Sequence, residues 1–147
     1  MYIITEKRTI LMVMLAGAIF ILAIILLANM PFGDKDTARQ HVSSLGWRIE
    51  QEPVETQKIE VPKEFDESYI EYNELQRMAG FDLAAYQGKT AMRYTFKIIQ
   101  LNGADTLRAN VLVYRGKVIG GDISTIEMEG FTMPLQKNKE QKGWTFN

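Results

Sequence analysis

The sequence predicts an α+β fold behind an N-terminal transmembrane helix, and three observations carry that expectation. Residues Ile10 to Ala28 are apolar without a break. Between Asp36 and Gly88 three stretches read as helices, Thr37 to Leu45, Asp66 to Ala79 and Phe81 to Tyr86, with two extended pieces between the first two. From Thr90 the period changes to two, with turn signals at Asn102-Gly103 and Arg115-Gly116. Consecutive strands joined by tight turns are antiparallel. The expected architecture is therefore an antiparallel β-sheet, a C-terminal three-stranded meander plus one or two N-terminal strands. Two or three helices pack on it, on one face as is usual for α+β layers.

The apolar run comes first. As a helix rising ~1.5 Å per residue it is roughly 28 Å long, close to the ~30 Å hydrocarbon core of a bilayer. Its many Ile, Leu, Val and Phe side chains favour insertion by a few kcal/mol, on the order of 0.3–0.6 each. Lys7 and Arg8 precede the run, and Asp34 and Asp36 balance Lys35 after it. The positive-inside bias then puts residues 1–9 in the cytoplasm, the anchor at 10–30 and the remainder outside. A cleaved signal peptide is the competing reading, but its apolar region is normally ~7–15 residues and ends in small residues. Here the run is longer and leads into Leu27-Ala28-Asn29-Met30-Pro31, which favours a retained anchor. Pro31 stops the helix. Ala16-Gly17-Ala18 would let a second helix approach, but no Gly-x-x-x-Gly is present, so a lone anchor is preferred.

A short link, residues 31–36, leads into the expected domain at 37–135. Asp36 is placed to cap a helix from Thr37 to Leu45, with Gly46 as its stop. Trp47, Ile49 and Gln51 alternate with Arg48, Glu50 and Glu52 and predict a strand, which Pro53 interrupts. Thr56 to Val61 is a second extended piece. Asp66 to Ala79 is the clearest helix: Asp66 caps it, Gly80 ends it, and Phe65, Tyr69, Tyr72, Leu75, Gln76 and Ala79 share a face. Phe81 to Tyr86 reads as one short turn closed by Gly88. Met92, Tyr94, Phe96 and Ile98 then mark a half-buried strand. Leu107 to Tyr114 is a second, with Val111-Leu112-Val113 pointing to burial on both faces. Lys117 to about Glu127 is a third, where Gly120-Gly121 predicts a bulge or a close neighbour. Residues 136–147 form a polar, lysine-rich tail in which Trp144 and Phe146 would pin the end to the domain.

Composition limits the function. The 147 residues carry 17 basic and 18 acidic side chains; with Glu6, Lys7 and Arg8 set apart, the soluble part stands at about −2 and both signs are mixed. Nucleic-acid binding usually needs a basic stripe and has no support here. There is no cysteine, which excludes disulfides, thiolate metal sites and a thiol nucleophile.

No catalytic, cofactor or metal constellation stands out from these residues. His41, the single histidine, falls beside a helix's apolar face with no nucleophile to serve. Asp34 and Asp36 resemble the start of a calcium loop whose glycine and terminal glutamate are missing. Glu50 with Glu52, and Glu127 with Glu129, would share strand faces; such pairs can do acid–base work when buried together, but more often they face water. Gly116 to Asp122 resembles a phosphate loop, yet such a loop needs a helix N-terminus and these glycines lie in and between strands. Trp47, Tyr69, Tyr72, Tyr94 and Phe96 sit at core spacing, with a ligand groove as the alternative.

Two stretches carry a resemblance. One runs from Gly46-Trp47-Arg48-Ile49-Glu50 through Val61-Pro62 and Phe65 to Tyr72-Asn73-Glu74-Leu75-Gln76 and Gly80-Phe81-Asp82-Leu83, with Tyr86 and Gly88. The other is Arg108 to Tyr114 into Gly116 to Asp122, with Gly130-Phe131 after it. Over about residues 36–135 the chain resembles a domain-of-unknown-function family of small single-pass membrane proteins, about 150 residues long, from Gram-positive bacteria. That resemblance implies an anchor followed by an outward domain, and carries over no catalytic residues. The expected function is a membrane-anchored, extracytoplasmic binding or interaction domain, not an enzyme. Residues 10–28 would bind the membrane, with an envelope protein, peptide or wall component as partner. The alternatives are an envelope hydrolase using strand carboxylates, or an accessory subunit of a membrane signalling complex.

Overall fold

The structure, a computed structural model, describes residues 2–28, 33–100, 103–128 and 130–138. It divides into two units, Met1–Pro31 and Phe32–Asn147. The first contains helix α1, Tyr2–Ala28. Among the described residues no helix is long and apolar enough to cross a membrane. The expected helix stop at Pro31 and the aromatic pins Trp144 and Phe146 lie outside the described residues.

The second unit is α+β. Helices α2 (Asp34–Ser44) and α3 (Glu67–Met78) and a 3-10 turn (Leu83–Tyr86) accompany five strands. These are β1 (Glu55–Glu60), β2 (Thr90–Lys97), β3 (Leu107–Tyr114), β4 (Lys117–Thr125) and β5 (Thr132–Pro134). They pair in sequence order, every pair antiparallel. The meander thus holds four strands from β2 to β5, one more than expected. The three-residue β5 was missed because Thr132-Met133-Pro134 is too short to show a period and ends in a proline that donates no hydrogen bond.

The expected strand at Trp47–Gln51 is corrected. Only Ile49 bridges to Ile98, and the chain bends at Gln51 and Glu52 before Pro53. The edge of β2 is taken instead by β1, which Val54 leads in by donating its N–H to the Thr95 carbonyl at 2.8 Å. Helix α2 also starts earlier than expected, at Asp34. Asp36 does not cap it but pairs with Arg39 at 2.9 Å, while Asp34 accepts the Gly116 N–H at 2.9 Å. Gly46, at φ +85°, ends α2, and Gly80 likewise follows α3. Asp66 caps α3 as expected, accepting the Tyr69 N–H at 2.8 Å.

The helices cover both sheet faces, not one. Tyr94, Phe96, Ala109, Val111, Val113 and Ile123 pack with Ala38 and Val42 of α2, with Trp47 and with Leu135. On the opposite face Ala91, Leu112 and Ile119 meet Val61, Leu83, Phe65, Tyr69 and Tyr72. The reason lies in β3, whose Val111, Leu112 and Val113 are all buried. Apolar side chains on successive positions point to opposite faces, so both faces need cover. The bulge expected in β4 falls at Ile119, where pairing steps from Leu112–Gly120 to Val113–Val118.

The β3–β4 hairpin turns on Arg115 (φ +49°) and Gly116 (φ +77°). Two positive φ angles suit Asn-Gly, whereas arginine is strained in this region. Arg115→Asn is expected to raise stability by roughly 0.5–1 kcal/mol, read as a higher denaturation midpoint of the full chain in detergent micelles.

Candidate functional site

The most unusual side chains of the sheet lie on the face under α3. Thr95, Asn110 and Asp122 occupy one register row across β2, β3 and β4. Strand pleating therefore aims all three to the same side. Thr95 and Asp122 are buried, Asp122 only 7% exposed. The Thr95 hydroxyl donates to Asn110 Oδ1 at 2.8 Å. Asn110 Nδ2 donates to Asp122 Oδ1 at 2.8 Å and to Ser124 Oγ at 3.0 Å. From α3, the Tyr72 hydroxyl donates to Asp122 Oδ2 at 2.9 Å. Both carboxylate oxygens are thus engaged, each by a neutral donor.

Helix α3 is held over this row by two further polar side chains. Buried Asn73 accepts the Leu83 N–H at 2.7 Å and donates to Asp82 at 2.9 Å, joining α3 to the 3-10 turn. Gln76, fully buried, accepts the Gly121 N–H through Oε1 at 2.7 Å. Strand β5 pairs only with Asp122 to Ser124, so the Gln76 amide takes the place of a neighbouring strand at Gly121. Two buried donors, Gln76 Nε2 and Arg93 Nε, have no partner among the described residues. An acceptor oxygen from water or a ligand would satisfy either.

Burial pushes the Asp122 carboxyl above its ordinary value, against the lowering effects of the Asn110 and Tyr72 bonds and of the nearby Arg93 charge. Burial also raises the Tyr72 phenol, and the Asp122 charge adds to it. Tyr72 therefore stays a protonated donor. The sign for stability follows: a carboxyl that holds its proton more tightly when folded contributes most below its ordinary value of 3.8 and loses that contribution as pH rises through the raised value. Urea denaturation of Asp122→Asn across acidic pH is expected to show a shallower loss of stability on going from pH 3.8 upward than the parent chain.

The carboxylates singled out from the sequence do not converge. Glu50 pairs with Lys97 at 3.6 Å and Glu52 with Lys35 at 2.9 Å. Neither is on a strand. Glu127 lies in the exposed turn after β4, and Glu129 lies outside the described residues. His41 is half-buried on α2 beside the Phe81 ring, 5.8 Å between centroids, and desolvation lowers its pKa. Gly116 to Asp122 forms the hairpin and bulged strand rather than a phosphate loop. Trp47, Tyr94 and Phe96 belong to the core, while Tyr69 and Tyr72 pack over the opposite face. Among the described residues no three His, Asp or Glu side chains could hold a metal ion together. The row itself went unread as a unit. Its signal was parity: Arg93, Thr95, Arg108, Asn110, Asp122 and Ser124 are the polar positions of three alternating strands, and the pairing register puts them all on one face.

The family description Domain of unknown function (DUF4830) matches residues 42–123. The chain belongs to this family. No curated protein and no solved structure matches it. The DUF4830 match runs from within α2 to within β4, so it takes in Tyr72, Gln76, Thr95, Asn110 and Asp122 and stops before β5.

Proposed function

We propose that this chain is a small single-pass protein of a bacterial envelope, of the Gram-positive type that the resemblance implies. The run at 10–28 is the anchor, the first residues are cytoplasmic, and the DUF4830 domain is an extracytoplasmic binding module for a nearby protein, peptide or wall component. One observation carries this reading. Along α1 the described side chains from Met12 to Ala23 are exposed on every side of the helix, among them Val13, Leu15, Ile19, Phe20 and Leu22 at 56–68%. A helix that is apolar all round needs a non-aqueous surrounding, and the charges at Lys7 and Arg8 orient it. On the domain, the row under α3 leaves the Ser124 hydroxyl and the Arg93 guanidinium half-buried at the face, where a polar ligand would find donors.

The test is fractionation of cells expressing the full chain with a C-terminal tag. The expected result is a carbonate-resistant membrane pellet whose tag is removed by protease added to intact spheroplasts. A carbonate-soluble chain, or a tag protected until lysis, would overturn the reading. The hydrolase alternative has no supporting observation among the described residues: Glu50 and Glu52 pair with different lysines, and Glu127 lies in an exposed turn.

A further inference from the structure

We infer that the hairpin end of the DUF4830 domain rests on the anionic lipid surface of the membrane that holds the anchor, an inference that depends on the anchor reading above. Four exposed cations gather at this end of the sheet. Arg115 and Lys117 flank the β3–β4 turn. Lys89 precedes β2, whose first residue pairs with Glu60, the last of β1. Lys63 lies over Gly88, its Cγ 3.2 Å from where a Cβ on that glycine would stand. Contact between the Tyr86 and Tyr114 rings, 5.7 Å apart, confirms that the segments around residues 86 and 114 adjoin.

These four lie together without carboxylate partners; among the domain's other described lysines and arginines only Arg48, Lys58 and Lys137 also lack one. Lys35, Arg39, Arg77, Arg93, Lys97 and Arg108 each make an ion pair. Among the described residues Lys63, Lys89, Arg115 and Lys117 make none within 4.0 Å. Glu60 and Glu64 also lie at this end without pairing with them, and Asp34 is occupied by the Gly116 N–H. Arg115 instead stacks over the Tyr114 ring, 5.3 Å from its centroid. Basic side chains beside tyrosines are the composition favoured at lipid headgroups.

The covalent path supplies the second argument. Asp34 opens α2 and is bonded to Gly116 at 2.9 Å, so the domain's chain entry lies at this same end. Only residues 29–33 separate it from Ala28, a link that spans at most ~22 Å when fully extended. A tether that short keeps the local lipid concentration high, so a weak electrostatic attraction suffices to seat the face. The occupant is therefore an anionic bilayer rather than a soluble polyanion.

The chain contains no cysteine, so single labels are clean. Gln87→Cys places an environment-sensitive fluorophore at the hairpin end, and Glu127→Cys places one at the opposite end. The full chain is reconstituted in phosphatidylcholine vesicles with and without phosphatidylglycerol, both carrying a headgroup nitroxide quencher. Quenching at Gln87→Cys is expected to rise by roughly twofold or more with phosphatidylglycerol and to fall again in high salt. The combined variant Lys63→Gln, Lys89→Gln, Arg115→Asn, Lys117→Gln should abolish the rise, with Glu127→Cys unquenched throughout. Should that variant fail to fold, the lipid and salt comparisons still decide. Quenching that ignores phosphatidylglycerol, or is equal at both labels, in vesicles where protease protection shows insertion, overturns this inference and leaves the anchor standing. Failure to insert at all overturns both.

Discussion

Gly121→Ala is expected to lower the thermal midpoint of the DUF4830 domain by about 10 °C, corresponding to about 3 kcal/mol. Gly121 is buried in β4, and the obstacle to a side chain there is backbone. A Cβ at this position would overlap the Asn110 carbonyl oxygen and stand 2.6 Å from Leu135 Cδ2. Leucine can rotate away, but the Asn110 carbonyl belongs to the adjacent strand and cannot move without disturbing the ladder. The same shift would pull Gly121 from Gln76 Oε1, so packing and edge cover fail together. Near-ultraviolet circular dichroism of the full chain in detergent, followed on heating, measures the change. Gly33→Ala, at an exposed position where nothing stands within 4 Å of an added Cβ, is the control for loss of a glycine alone. A Gly121→Ala midpoint within a degree or two of the parent would mean that β3 and β4 separate more easily than their pairing implies.

Asp122→Ala is expected to cost about 2–3 kcal/mol at neutral pH. Two donors, the Tyr72 hydroxyl and one Asn110 N–H, would lose their acceptor inside the protein. An orphaned buried donor costs more than the bond it made. Against this stands relief from burying a carboxylate, the effect that raises its pKa, which is why the expected loss is not larger. Tyr72→Phe removes one of the two donors, so the double variant should cost less than the sum of the single ones by roughly 1 kcal/mol. Urea denaturation of the four chains gives that coupling directly. Additive costs would show that Tyr72 and Asp122 do not share an energetic bond and that α3 is held by its apolar contacts and by Asn73 and Gln76 without that pair.

Much of the architecture was legible because it rests on local chemistry. Asp66 and Gly80 bracket α3, Arg115-Gly116 forces a turn, and the alternation from Met92 to Ile98 marks a strand with one apolar side. What escaped reading depends on partners far along the chain. Trp47 to Gln51 has strand alternation, yet it meets that edge only around Ile49, beyond the stretch of β2 that β1 pairs with. The second covered face follows from Leu112 being buried between two valines that point the other way. The polar row needed the register of three strands before its members could be seen as neighbours. Gln76 was counted with the helix's inward face, but its backbone partner is 45 residues away and no local pattern announces it.

The bond between Gln76 and Gly121 has a consequence for life in a crowded layer. It makes one border of the sheet conditional: the border is sealed only while α3 is docked, because among the described residues no strand pairs with β4 at Gly121 on that side. A transient lifting of the helix would bare main-chain groups able to recruit a strand from another molecule. On the anchor proposed above, copies held at one surface would meet at matched heights, where such recruitment is easiest. Slow amide exchange at Gly121 would be a direct gauge of how rarely the helix lifts, and so of how safely copies brought close together stay separate.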